Sequence, residues 1–202
     1  MTQTIAVVDY GSGNLHSVSR AIERVGGRAL VTRDAGEISG ADALVIPGVG
    51  HFGSCMRAIC HHGMDRSIEE FRATGRALFG VCVGMQVLFE GSDEDPEPGL
   101  GAIPGRVERL DDDVKVPHMG WNTADWTAPH PYTHGLPADT RFYFVHSFAP
   151  PAGDHTVATT VYGSNTFSAV VARDNVFATQ FHPEKSGEAG LHVYERFVRS
   201  LA

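Results

Sequence analysis

The chain is 202 residues long with 42% hydrophobic and 20% charged residues, a globular balance that excludes wholesale disorder. Sixteen Lys and Arg against 24 Asp and Glu leave a net charge of −8, and no basic cluster occurs, so neither nucleic acid nor a membrane surface is expected as a partner. No apolar run approaches the ~18–20 residues that span a bilayer, and the start lacks the basic region of a signal peptide. With three cysteines, too few for a disulfide scaffold, a reduced, cytoplasmic enzyme in one domain over 1–202 is expected.

Residues 4–9 form a short β-rich apolar run that ends in the turn cluster Tyr10-Gly11-Ser12-Gly13-Asn14. Leu15, Val18, Ile22 and Val25 recur at helical spacing, and Gly26-Gly27 stops that helix. Residues 28–32 and 43–46 read as strands, and 52–74 as one or two helices interrupted around His61-His62-Gly63. A continuous apolar strand over 77–82 leads into a helix over 83–90. Continuous apolar strands separated by helices imply βαβ units and a parallel sheet covered on both faces. Residues 91–101, acidic and rich in Gly and Pro, read as a loop. Beyond 106 the pattern turns strand-like, with strands at 141–146, 155–161, 166–172 and 176–181 and hairpin turns at Gly163-Ser164-Asn165 and Asp174-Asn175. The final helix carries Leu191, Tyr194, Phe197, Val198 and Leu201 on one face, with Ser186 as N-cap. The expected architecture is α/β, a mostly parallel sheet with antiparallel strands added in the C-terminal half.

The most informative segment is Phe79-Gly80-Val81-Cys82-Val83-Gly84-Met85-Gln86. A cysteine on a sharp strand-to-helix turn projects into a cleft, where helix N–H groups favour a thiolate and suit an oxyanion. Gly80 and Gly84 are expected to let backbone and substrate approach the sulfur. Taken alone, Cys82 reads equally as a small buried hydrophobe. Cys55 and Cys60, beside His61 and His62, fit no zinc spacing and read as structural. A thiol nucleophile needs a base, and the base needs an orienting partner. Among 11 histidines, His182 has a rigidly tethered carboxylate, Glu184 across Pro183, whereas His146 ends a strand and His16, His51 and His118 sit in loops. Pro47-Gly48-Val49-Gly50 follows a strand and offers bare amides as a second oxyanion donor beside the Val83 N–H. Gly11-Ser12-Gly13 is no dinucleotide fingerprint, because its third glycine would fall on His16.

Gly80 to Gln86, Pro47-Gly48-Val49-Gly50 and His182-Pro183-Glu184 resemble, in order and spacing, the three signatures of the class I (triad) glutamine amidotransferases, with nucleophile and base 182 − 82 = 100 residues apart. Asp9-Tyr10-Gly11-Ser12-Gly13-Asn14-Leu15, Pro117-His118-Met119-Gly120-Trp121-Asn122, Tyr143-Phe144-Val145-His146-Ser147 and His182-Pro183-Glu184-Lys185-Ser186 extend the resemblance over essentially the whole chain. They are similar to a branch of the family whose glutaminase serves a separate synthase subunit. His51, where a small residue is more usual, and the acidic stretch 93–97 depart from the pattern without touching the triad.

The resemblance implies a three-layer, flavodoxin-like glutamine amidotransferase domain that hydrolyses L-glutamine to glutamate and ammonia with neither cofactor nor metal. The ammonia passes to a (β/α)₈ synthase subunit in a heterodimer. By the same resemblance, Cys82, His182 and Glu184 are the catalytic triad, Val49 and Val83 form the oxyanion hole, and Gly48, Gly50 and Gln86 hold the substrate. Tyr10, Asn14, Met119, Trp121, Asn122, Tyr143, His146 and Lys185 are expected to line or gate the partner interface. A peptide flip at Val49 would make or remove an oxyanion donor. A cysteine peptidase or γ-glutamyl hydrolase would share the cysteine and histidine but has no need of the segments at 117–122 and 143–147.

Overall fold

The computed structural model describes residues 2–201; Met1 and Ala202, the ends of the expected domain, lie outside them. Its first half supplies β1 (Thr4–Val8), β2 (Arg28–Thr32), β3 (Ala43–Gly48) and β4 (Leu78–Cys82), separated by α1 (Leu15–Arg24), α2 (Ala35–Gly40), α3 (Phe52–His61) and α4 (Met64–Ala73). β4 runs directly into the short helix α5 (Val83–Gln86). The second half supplies β5 (Phe89–Ser92), β6 (Asp95–Pro98), β7 (Ile103–Arg109), β8 (His118–Thr123), β9 (Asp125–Trp126), β10 (Arg141–His146) and β11 (Phe148–Ala149). Then follow β12 (Thr156–Tyr162), β13 (Asn165–Arg173), β14 (Val176–Thr179) and the closing helix α6 (Gly187–Arg199).

Eight strands form one sheet in the order β2-β1-β3-β4-β14-β13-β12-β9. It is parallel from β2 to β14 and antiparallel beyond, the expected class. The unbroken apolar runs of β1, β3 and β4 reflect burial on both faces. Helix α1 packs with α6, and α4 packs with α2 and α3. Phe79 of β4 shows how tightly α6 is seated, its ring lying 5.4–5.6 Å from those of Phe197 and Tyr194. Among the described residues no helix is long and apolar enough to cross a membrane.

Three local expectations are corrected. The helix expected over 83–90 stops at Gln86, and the expected loop at 91–101 instead contains β6, paired with β5, which also pairs with β7. Residues 83–89 are all buried, and a fully buried apolar run carries no periodicity that separates helix from strand. Ser186 occupies the N-cap position of α6 but does not cap it; its Oγ donates to the His182 carbonyl at 2.6 Å and accepts from the Tyr143 N–H at 3.0 Å. Gly80 and Gly84 make room for backbone rather than substrate. A Cβ on Gly84 would overlap the Ile46 carbonyl oxygen, and one on Gly80 would lie 2.7 Å from the Gly84 carbonyl oxygen. Helix α5 therefore rests directly on the ends of β3 and β4.

Gly84→Ala should consequently lower unfolding free energy by about 3 kcal/mol, the upper end of overpacking costs, since backbone must yield. Urea titration followed by circular dichroism checks this; a change under about 1 kcal/mol would contradict the contact.

Candidate active site

Cys82 is the last residue of β4, and its backbone (φ 55°, ψ −112°) is one of only two non-glycine residues at positive φ among the described residues. Such a conformation costs on the order of 1–3 kcal/mol and persists only where its surroundings enforce it. Here the enforcement is the seat of α5 on Ile46 and Gly48. The turn leaves Cys82 2% exposed, with Sγ 3.8 Å from Gln180 Nε2 and 4.0 Å from the Val145 carbonyl oxygen. Because α5 is a single turn, its contribution is mainly its free first N–H groups, that of Val83 included, rather than a long helix dipole.

His182 follows β14, held by its own N–H donating to the Tyr143 carbonyl at 2.9 Å. Pro183 opens a 3₁₀ turn, Pro183–Lys185, that brings Glu184 back against the imidazole. His182 Nδ1–H donates to Glu184 Oε1 at 2.8 Å, with both side chains 1% exposed. Nε2 is left without a hydrogen-bond partner, on the ring edge available to the cavity. Burial disfavours the imidazolium, but the charge and hydrogen bonding of Cys82 and Glu184 outweigh it and raise the His182 pKa to about 10. Asn14, expected at the interface, instead donates to Glu184 Oε1 at 3.4 Å.

A cavity of about 630 Å³ joins Val49, Cys82, Gln86, Glu94, His146 and His182. Its Val49 wall is pinned from behind. Tyr10 Oη donates to the Pro47 carbonyl at 2.6 Å, Ser12 Oγ to the Val49 carbonyl at 3.0 Å, and Cys55 Sγ lies 3.6 Å from that same oxygen. A trans peptide points its N–H opposite its carbonyl, so the Gly50 N–H faces away from Ser12. Cys55 is buried beneath this segment, whereas Cys60 is exposed on α3 and takes no part in the core. The acidic stretch 93–97 also reaches the site. Glu94 lines the cavity while its Oε2 accepts from the Phe52 N–H at 2.7 Å, and Asp95 pairs with Arg57 and His51.

Behind the cavity the Phe148 carbonyl organises the buried polar groups. It accepts from Gln86 Nε2 at 2.8 Å and from His146 Nδ1 at 3.0 Å, one donor for each lone pair. With Nδ1 protonated, His146 Nε2 is an acceptor and takes the Nδ1–H of His118 at 3.2 Å. His118, expected in a loop, opens β8 and is stacked 4.0 Å from Tyr162 and 5.0 Å from Phe144. Asn122 completes the chain by donating to His118 Nε2 at 3.4 Å. Burial lowers the pKa of His118 to about 4 and, with His118 beside it, that of His146 to about 3, so both rings are neutral. Both hydrogens of the Gln86 amide are used, on Phe148 and on Gln180 Oε1 at 3.1 Å, so Gln86 can meet a ligand only as an acceptor.

The expected interface residues divide. Met119 (62% exposed) and Trp121 (53%) stand on β8 opposite Val145 and Tyr143 of β10, and exposed Lys185 holds Nζ 5.9 Å over the Tyr143 ring. They form one surface patch, with Asn122 half-buried beside it. Tyr10 (1% exposed) and His146 (6%) do not reach a surface, because the hydrogen bonds above hold both inside. Sequence reasoning missed Gln180 and Glu94. Gln180 lies two residues before His182 in an extended segment, and period-two alternation is the signal that would find it. Glu94 carries no such signal in an acidic stretch read as loop.

The profile of the family described as Glutamine amidotransferase class-I matches residues 6–201. The chain is 44% identical over 202 residues to the imidazole glycerol phosphate synthase subunit HisH of Microcystis aeruginosa, covering 98% of this chain and 95% of that protein. It is 42% identical to the imidazole glycerol phosphate synthase hisHF of Emericella nidulans, over 96% of this chain and 38% of that longer protein. A crystal structure of a glutamine amidotransferase shares the fold, with TM-score 0.75, 24% identity and 97% of each chain covered. The chain therefore belongs to the class I glutamine amidotransferase family and, within it, to the group of imidazole glycerol phosphate synthase HisH subunits.

The neutral histidines set a pH dependence. Between about pH 6.5 and 4 the unfolded chain binds protons that the folded His118 refuses, so stability is present above this window and is lost as pH falls through it. His118→Phe should shrink the difference in urea unfolding free energy between about pH 7.5 and about pH 5 by about 2 kcal/mol. An unchanged difference would mean that His118 titrates normally.

Proposed function

We propose that the chain is the glutaminase subunit of imidazole glycerol phosphate synthase in histidine biosynthesis. It is one glutamine amidotransferase domain over 1–202, working in the cytoplasm, where a nucleophilic thiol stays reduced. The observation that carries this reading is the strained Cys82 turn sharing a cavity with His182, whose Nδ1–H is already engaged by Glu184.

Cys82 Sγ attacks the side-chain carboxamide carbon of L-glutamine, and the N–H groups of Val49 and Val83 hold the oxyanion. His182 gives its Nε2 proton to the departing nitrogen, ammonia leaves, and a thioester remains. His182 then takes a proton from water, hydroxide attacks the thioester carbon, and glutamate leaves as sulfur recovers its charge. Glu184 fixes the imidazole tautomer throughout. Gln86, with the Gly48 and Gly50 backbone, holds the substrate, the Gln86 carbonyl accepting from one of its N–H groups. Glu94 is the carboxylate suited to the α-ammonium. Ammonia exposed to water would become ammonium, so the site opens into an interface with a (β/α)₈ synthase subunit, and the Met119, Trp121, Tyr143 and Lys185 patch is the face that receives it. That subunit uses the ammonia to form imidazole glycerol phosphate and aminoimidazole carboxamide ribotide.

The test is glutamate release with and without the synthase subunit and its nucleotide substrate. Turnover should be low for the chain alone and rise in the complex; a complex that releases no glutamate would overturn the function. His182→Ala should reduce turnover about 10²–10⁴-fold. Cys82→Ala should still bind the synthase subunit but release no glutamate.

A further inference from the structure

Gln180 is fully buried between the strand that bears Cys82 and the Phe148 carbonyl. Its position follows from register: β14 runs parallel to β4 with Thr179 opposite Val81, so the next residue falls beside Cys82. Alternation turns Phe181 the other way, stacked 3.9 Å from the Phe142 ring, and keeps Gln180 on the side of His182. The orientation of its carboxamide is dictated by chemistry. The Phe148 carbonyl only accepts, so the Gln86 atom 2.8 Å away is Nε2. That nitrogen's second hydrogen goes to Gln180 at 3.1 Å, which makes the receiving atom Oε1. The Gln180 amide nitrogen is thereby left facing Cys82 Sγ at 3.8 Å.

We propose that Gln180 is a further catalytic residue, whose side-chain N–H donates to the Cys82 sulfur and stabilises the negative charge the attacking thiol carries. The inference rests on the reading of Cys82 as nucleophile. With Gln180 at 0% and Cys82 at 2% exposure, water does not supply the bond in its place, and a donor to a charged acceptor in a low-dielectric site counts for more than one at a surface. The Gln86–Phe148 clamp keeps the amide from rotating away when charge forms on sulfur, so the donor needs no reorganisation during attack.

The test is the pH profile of Cys82 alkylation by iodoacetamide in the full chain, with the modified residue identified by peptide mass mapping. Gln180→Met keeps the volume and removes the donor. It should slow alkylation at mildly acidic pH about tenfold and move the profile upward by about one pH unit. Gln180→Asn, which keeps an amide but withdraws it from sulfur, should shift it in the same direction. A folded variant with the wild-type profile overturns the inference. If neither variant folds, the wild-type Gln180 side-chain amide resonances, assigned through contacts to Cys82, should move in step with the Cys82 Cβ titration; static resonances overturn it equally. Labelling by the glutamine analogue acivicin at Cys55 or Cys60 rather than Cys82 would instead overturn the nucleophile reading, which separates the two failures.

Discussion

The contact of the Gly84 backbone with the Ile46 carbonyl is what the rest of the site depends on. It seats α5 on the end of β3, and a helix seated there leaves β4 no room to end in an extended conformation. Cys82 must turn at positive φ, which throws its side chain into the cleft at the strand ends and bares the Val83 amide beside it. Strain at one residue is thus sustained by close packing at two glycines, Gly48 and Gly84. Larger side chains at either position would separate the layers and relax the turn.

Register then supplies the chemistry. Because β14 lies parallel to β4 and adjacent to it, the residues that follow β14 pass beside the nucleophile, and Gln180 and His182 fall on its side through simple alternation. Pro183 converts that extended segment into a 3₁₀ turn within one residue, so Glu184 reaches the imidazole without a long loop to order. Two kinds of buried polar group meet here. The triad is charged and mutually compensated, and the His118–His146 pair is neutral because nothing anionic accompanies it. The Phe148 carbonyl separates the two regimes, since an acceptor with two lone pairs dictates the orientation of Gln86 on one side and the tautomer of His146 on the other.

Legibility in the sequence tracked the kind of information involved. The parallel strands were readable because burial on both faces demands continuous apolar runs, and α1, α3, α4 and α6 because one apolar stripe repeats at helical spacing. Residues 83–98 were not readable. Their first half is wholly buried, so helix and strand leave the same pattern, and their second half is an acidic hairpin that composition makes look like loop. Tyr10 and His146 were misplaced for a related reason: polar-tipped side chains belong equally to an interface or to a satisfied interior, and only their partners decide.

By itself the sequence determined the α/β class, the tethering of Glu184 to His182 across one proline, and the strand-to-helix setting of Cys82, because each depends on residues close together along the chain. Only the tertiary structure decided which groups surround the sulfur. Gln180, Glu94, Val145 and the Phe148 carbonyl reach the site across separations set by strand order and register, and their roles as donor or acceptor follow from the partners they meet there. Hydrogen-bond direction is a property of the assembled pair, so no reading of either residue alone could supply it.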